Sequence, residues 1–525
     1  MMSVTNAALL KLSRRAEANP RNLLETFVDI GPLFGLLSSH DHQVIFGRRG
    51  TGKTHALSYL ASDRELRGDA VAMVDLRKVG SSGGLYGDPS RTLQERATGL
   101  IVDVLTAVHD ALLQYFVAAS DSLDLSAASR ALDAMADAIT QVTVVGETEI
   151  AAKTSRAVDR SSSDHFGLGA GAKLGVSVKM SRSVEISSSG SETIRKSGHE
   201  RLHVNFGSTT GAFQQIVDVM DGRRLWLLLD EWSCIPLALQ PYLADLLRRS
   251  VFPITGVTVK IAAIEQRAHF RAQVDGVDYV GIELGADASA DVCLDDFMVF
   301  DNDQGRASTF LRNLVARHVG VRPEDTEQFV EYAFEPDAFP ELVQAAEGVP
   351  RDAINLLVLA AQRAVDKRIS ADHIRTVAKA WYQRDKEKAV SSNAAAFRML
   401  HWIVEEVVGR LRTRAFVLAS GTKDGLIDAL FDARVVHVIK RGASPHDRLG
   451  EQFDVYKVDY GSYCELLPTS HAPLGLCRFA DPARTDVRHV EMVPDDYSSM
   501  RLELLSLEQF YGSSGGAPLP QAEIM

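Results

Sequence analysis

Only four cysteines occur in 525 residues, Cys234, Cys293, Cys464 and Cys477, and none stands at the close paired spacing of a zinc site. They are too few for a disulfide framework in so long a chain, so reduced, structural thiols are expected. Excess positive charge is missing as well. The net charge is -12, which excludes a chain that coats nucleic acid along its whole length and leaves only a local basic patch open. Apolar runs such as Leu225 to Leu229 fall far below the roughly 18 residues of a membrane-crossing helix, so no membrane span is expected. The opening MMSVTNAALLKLSRRAEANP lacks the ordered charged, apolar and cleavage regions of a secretory signal, which points to the cytoplasm.

What is present is an ordinary globular composition, 46% hydrophobic and 24% charged. At roughly 150 residues per domain, the length predicts about three units. The most explicit chemistry lies in GRRGTGKTHA, Gly47 to Ala56. An apolar β-type run, His42 to Phe46, feeds into it, and His55 to Ser62 reads as the first turns of a helix. This is the strand, glycine loop, helix order of GxxxxGK[ST]. Gly47, Gly50 and Gly52 let backbone N–H groups converge on phosphate oxygens, with Arg48, Arg49, Thr51 and His55 completing the candidate cradle. Lys53 is placed to reach the β- and γ-phosphates, and the Thr54 hydroxyl to ligate Mg²⁺.

A working nucleotide site also needs a carboxylate for the metal and a second one to polarise water. Leu225-Trp-Leu-Leu-Leu-Asp-Glu231 supplies both: an apolar strand delivers Asp230 toward Mg²⁺ and Glu231 toward the attacking water as general base. Expected ligands are therefore ATP and Mg²⁺, and the adjacent carboxylates favour hydrolysis over binding alone. A third stretch is EGVPRDAIN, in which Gly348 and Pro350 suit a turn and helix start and Arg351 stands in the first turn.

With these three stretches the chain resembles the AAA+ ATPases, and among them the origin-recognition and Cdc6-like branch, in which a Gly-x-Pro-Arg turn opens a lid helix as sensor 2. The resemblance implies that Arg351 faces a γ-phosphate. It also implies a sensor-1 residue at the end of Val257 to Ile264, where the usual small polar residue is absent and either Gln266 or Arg267 stands; Arg267 would match the signal-transducing STAND branch. Arg248, Arg249 and Arg271 are all placed to act as an arginine finger, and none is singled out. The fold implied is an α/β P-loop core, a parallel sheet flanked by helices, with an inserted helical and β-hairpin segment, an all-α lid and a C-terminal winged-helix-like domain.

The expected boundaries are 1–300 for the core, with the insertion at about 90–205, then 301–390 for the lid, 391–480 for the winged-helix-like domain and 481–525 for a last helix and flexible tail. Far more chain lies between Lys53 and Asp230 than two strands and their helices need, which is why an insertion is expected. Within it, Leu174, Val176, Val178, Met180, Val184 and Ile186 alternate with polar residues at the period of a half-buried strand, a possible contact for a protein partner. From Ser392 to Leu467 basic and acidic side chains balance, but Arg410, Arg412 and Arg414, with Lys440 and Arg441, leave DNA open as a partner. AAA+ sites are commonly completed by a neighbouring subunit, so a homo-oligomer is also open. Three functional readings stand: an ATP hydrolase that repositions lid and winged helix; a slow nucleotide switch acting through protein partners or oligomerisation, for which a role in bacterial defence against phage would be apt; and a DNA-binding initiator or loader.

Overall fold

The computed structural model describes residues 4–12, 23–79, 86, 88, 90–139, 204–274, 277–298, 303–443, 452–473 and 505–513, together with the short strand segments 142–145, 148–151, 184–187, 193–196 and 199–202. The core is a five-stranded parallel sheet of β1 (Gln43–Phe46), β2 (Ala70–Asp75), β3 (Leu225–Asp230), β4 (Val257–Ala263) and β5 (Ser289–Cys293), in the order β5-β1-β4-β3-β2. β3 and β4 lie inside the sheet and every residue of both is buried; β3 accordingly reads as an apolar run up to Asp230, whereas β4 also buries Thr258 and Lys260. Phe46 pairs with Ala263 and Asp75 with Asp230, so the strands end together along one edge. Functional groups of open parallel sheets collect at that edge.

Helices cover both faces. Leu225, Leu227 and Leu229 point to one side, against α2 (Leu93–Ala118), α3 (Leu125–Ile139), α4 (Phe206–Val219) and α5 (Gln240–Leu246). Trp226 and Leu228 point to the other, against α1 (Lys53–Leu66). The expected absence of any membrane-length apolar segment needs correcting here. By length and composition alone α2 could cross a bilayer. One side of it, including Leu100, Val104, Val108 and Leu112, is instead buried in the core, and a Thr92–Glu95 capping box starts it.

The lid consists of α6 (Gln304–Val319), α7 (Thr326–Ala333), α8 (Ala338–Ala345), α9 (Pro350–Ala364) and α10 (Ala371–Trp381), the all-α unit that the resemblance implies. Beyond it come α11 (Ala394–Val404), β6 (Ala415–Ala419), α12 (Gly425–Asp432) and the hairpin of β7 (Val436–Ala443) and β8 (Phe453–Val458), with sheet order β6-β8-β7. This is the winged-helix-like outline, with β6 as a strand that the sequence did not suggest. One continuous apolar cluster runs from Leu342, Leu357 and Ile374 in the lid to Ile403, Phe416 and Leu430 in the winged helix. The two therefore pack as one body over the sheet.

In the insertion, Val142–Val145 pairs with His199–Leu202, and Thr193–Lys196 pairs with both Thr148–Ala151 and Val184–Ser187. Val184 and Ile186 thus fall on a strand, whereas Leu174, Val176, Val178 and Met180 lie outside the described residues, as does the tail after 513. A short N-terminal helix spans Val4–Leu9, and the expected last helix is described over Leu507–Ser513. Among the described residues Cys234, Cys293 and Cys464 are free thiols.

Lys260 on β4 is fully buried, with Nζ 3.2 Å from Ser39 Oγ and 3.1 Å from Gln43 Oε1. Burial lowers its ammonium from 10.5 to about 8. Between these values the unfolded chain holds a proton that the folded chain has released, so this group makes stability rise with pH through that window. Lys260→Met is expected to raise stability at pH 7 by about 1–3 kcal/mol and to flatten the rise above pH 8. Denaturant melts of both proteins from pH 7 to 10 check this; an unchanged pH slope would refute it.

Candidate active site

The glycine loop joins β1 to α1. A Cβ on Gly47 would stand 2.6 Å from Thr51 Oγ1, and Gly50 has φ +90. Both positions therefore demand glycine for steric reasons. Thr51 Oγ1 donates to the Arg48 carbonyl at 2.9 Å and closes the turn. Lys53, buried at the start of α1, donates to the carbonyls of Gly47 (2.6 Å) and Arg48 (2.9 Å). An ammonium has three protons, so this grip orients the group and still allows a further bond to a phosphate oxygen. Burial lowers the Lys53 ammonium below its usual value, while Asp295, Glu231 and Asp230 oppose that.

β3 brings its acidic end to the same place. Thr54 Oγ1 donates to Asp230 Oδ2 at 2.7 Å, and Asp230 is almost wholly buried. Burial raises its carboxyl above the ordinary range; the Thr54 bond acts against that. A hydroxyl and a carboxylate are hard oxygen ligands of the type Mg²⁺ accepts when phosphates and waters supply the rest, so the donor set fits that ion. Glu231 follows in a left-handed conformation, φ 58, which turns its side chain away from the strand line. Its carboxylate lies 3.6 Å from Arg77 and accepts from Cys234 Sγ at 3.6 Å.

Two polar side chains, Ser233 half-buried and Gln240 fully buried, lock the turn after Glu231 to the end of β4. Ser233 Oγ accepts from Ile264 N at 2.7 Å. Gln240, fully buried, accepts from Trp232 Nε1 (3.1 Å) and His269 N (2.6 Å) and donates to the carbonyls of Ile235 (2.8 Å) and Arg267 (3.1 Å). At the end of β4 the two sensor-1 alternatives diverge. Arg267 pairs with Asp432 of α12 at 2.7 Å, whereas Gln266 lines a narrow cleft beside Gly47 and Arg48, its Oε1 buried without a hydrogen-bond partner. The finger candidates cluster: Arg248 and Arg249 both pair with Asp245, at 2.8 and 2.9 Å, while Arg248 and Arg271 both pack on the Tyr279 ring.

The lid turn rests directly on the phosphate loop. Arg351 N donates to the Gly50 carbonyl at 3.3 Å, and a Cβ on Gly50 would meet Arg351 Cβ at 2.9 Å. Arg351 is exposed at the start of α9 and adds positive potential at Lys53. Arg49 is exposed, and the His55 ring stands edge-on to Phe27, 5.6 Å between centroids.

Arg48, by contrast, is only 3% exposed. Its backbone N and its Nε bind the two oxygens of Asp295, at 2.8 and 2.6 Å, Nη2 donates to the Glu347 carbonyl at 3.2 Å, and Nη1 meets His437 Nδ1 on β7. The guanidinium also stands 5.7 Å from the centre of the Phe431 ring. Asp295 and His437 were not picked out by sequence. Asp295 carries no local signal; His437 gives a faint one, as a polar residue inside the apolar run Val435 to Ile439.

The candidate basic patch is engaged internally. Arg410 pairs with Glu406 at 2.6 Å, Arg412 binds the carbonyls of Ser470 and Ala472, Arg414 bonds Tyr463, and Arg441 pairs with Glu265 at 2.7 Å. A cavity of about 630 Å³ lined by Phe46, Phe270, Cys293, Asp296 and Arg441 lies to one side, and none of Lys53, Thr54, Asp230 or Glu231 borders it.

Gln240→Leu is expected to lower stability by about 2–4 kcal/mol, because it strands two buried donors and two acceptors at once. Denaturant unfolding checks this, and a change below about 1 kcal/mol would contradict it.

No curated protein matches this chain in sequence. The solved structure of the Aeropyrum pernix ORC1 protein in complex with DNA aligns over 86% of this chain and 96% of that one, at 12% identity and a TM-score of 0.32. A family model described as ORC-CDC6-like matches residues 11–335, more than half of the length, including the β1–α1 loop with Lys53 and the strand that carries Asp230. The chain belongs to the ORC-CDC6-like family of AAA+ ATPases.

Proposed function

We propose that this protein binds and hydrolyses Mg-ATP and uses its nucleotide state to move the lid and winged helix relative to the sheet. The contact between Thr54 Oγ1 and Asp230 Oδ2, 2.7 Å, carries this reading, since it joins the phosphate loop to the acidic strand where Mg²⁺ would be held. When bound, that ion would neutralise charge on the phosphates. Gly47 to His55 would cradle the phosphates through backbone N–H groups, Lys53 and Arg351 would offset γ-phosphate charge, and Glu231 would orient the attacking water. Because lid and winged helix share one apolar cluster, they would move together. We place the protein in the cytoplasm and keep the domain boundaries at 1–300, 301–390, 391–480 and 481–525.

A slow switch acting through a protein partner or a second copy is the second reading, and a specific observation favours it. The winged helix is bonded to the phosphate loop through Arg48 and to the end of β4 through Arg267 and Arg441, so nucleotide state could be reported with little turnover. A DNA target has less support, because Arg410, Arg412 and Arg414 are already engaged within the chain.

Lys53→Ala is expected to abolish ATP binding in a filter or fluorescence assay; tight binding by that variant would remove the site assignment. Glu231→Gln is expected to bind ATP like the parent while turnover falls about 100-fold or more. Unassisted turnover well above about one per minute in the parent would count against the switch reading.

A further inference from the structure

His437 and Arg48 are far apart in sequence and meet in the interior. His437 is 3% exposed, with Nδ1 on the Arg48 guanidinium and Nε2 2.9 Å from Asp459 Oδ2. A guanidinium only donates and a carboxylate only accepts, so the two neighbours fix one tautomer: Nδ1 accepts from Arg48 and Nε2–H donates to Asp459. Burial and the Arg48 charge hold the ring neutral, with its pKa lowered to about 3. Asp459 is itself anchored by Lys386, whose Nζ lies 3.1 Å from Asp352 Oδ2, and Arg434 binds the other Asp352 oxygen. Asp352 is the neighbour of Arg351, and Arg351 N returns to the Gly50 carbonyl.

The bonds thus form a closed circuit: phosphate loop, winged helix, the segment after α10, the start of α9, phosphate loop. A second branch has the same end points. Glu347, whose carbonyl accepts from Arg48, receives Lys457 and Tyr460 N on its carboxylate. Arg48 and Lys53 are joined at the loop itself, since the Arg48 carbonyl accepts from both Lys53 Nζ and Thr51 Oγ1. Fixing the Arg48 side chain therefore fixes the carbonyl that orients Lys53.

We propose that the winged-helix domain supplies a positioning residue to the nucleotide site: His437, acting through Arg48, holds the phosphate loop in the shape that receives phosphates, so docking of this domain and nucleotide affinity are linked. This rests on the reading of Gly47 to Thr54 as an ATP site. It fixes the sign of the coupling: releasing the winged helix weakens nucleotide binding, and by reciprocity bound nucleotide strengthens docking.

The test uses the full chain as parent, His437→Phe, which fills the space but cannot accept from Arg48, and His437→Gln, which can still accept and donate. Circular dichroism verifies folding, a fluorescent ATP analogue reads affinity, and hydrogen exchange reads protection of residues 47–52. His437→Phe is expected to bind the analogue about tenfold more weakly, the size of one charge-assisted hydrogen bond, with faster exchange in the loop. His437→Gln is expected to stay within about threefold of the parent. A folded His437→Phe protein with parental affinity and parental loop exchange would overturn the proposal. If the parent binds no nucleotide, the ATP reading fails, and exchange alone decides the positioning role: faster exchange in His437→Phe but not His437→Gln supports it, and equal exchange in all three overturns it. If His437→Phe does not fold, Asp432→Asn combined with Arg441→Gln loosens the rim of the same contact; weaker analogue binding and faster loop exchange support the proposal, and parental values overturn it.

Discussion

A guanidinium cannot be buried without partners for its N–H groups, and Arg48 is buried inside a phosphate loop. Desolvating an unpaired charge costs several kcal/mol, so each neighbour of Arg48 is held to its position by that constraint. The neighbours come from different layers: Asp295 from the short helix Leu294–Met298 after β5, Glu347 from the lid and His437 from the winged helix. One side chain therefore links the helix after the edge strand of the sheet, the lid turn and the C-terminal hairpin. The geometry of Lys53 and Arg351 follows from how that side chain is satisfied.

The packing of the second half of the molecule supports the same picture. The apolar cluster shared by lid and winged helix makes them one mechanical unit, and the buried ion pairs of Asp352, Lys386, Asp459 and Arg434 fix its internal register. Burial alone would push the Asp352 carboxyl up, yet the Lys386 and Arg434 charges hold it below its ordinary range. Contact between this unit and the core includes the polar bonds of Arg48, Arg267 and Arg441 with their partners and the lid turn on Gly50. One body bonded to the glycine loop is what the proposed movement with nucleotide requires.

Much of the candidate site was legible because its signals are local. GRRGTGKT sits between an apolar run and a helix start, and LWLLLDE carries both its strand and its two carboxylates within a few positions. The all-α lid followed from the family resemblance, and EGVPRDAIN was readable from its turn and helix-start residues. β5 was not, because Ser-Ala-Asp-Val-Cys is a five-residue edge strand whose only fully buried member is Val292. The strand Ala415–Ala419 was missed for a different reason: it is an apolar run too short to be told from a helix turn. The Arg48 circuit was illegible in principle. Apart from the faint signal at His437, Asp295, Glu347, Lys386 and Asp459 are ordinary where they stand, and only the tertiary fold joins them into the network around one guanidinium.

The central claim is that Gly47 to Thr54 with Asp230 forms a single Mg-nucleotide site. Calorimetric titration of the full chain with a slowly hydrolysed ATP analogue, with Mg²⁺ and then with chelator, tests it most directly. The account predicts one nucleotide per chain and clearly weaker binding when the metal is withheld. Absence of binding at millimolar analogue, or binding indifferent to Mg²⁺, would contradict it.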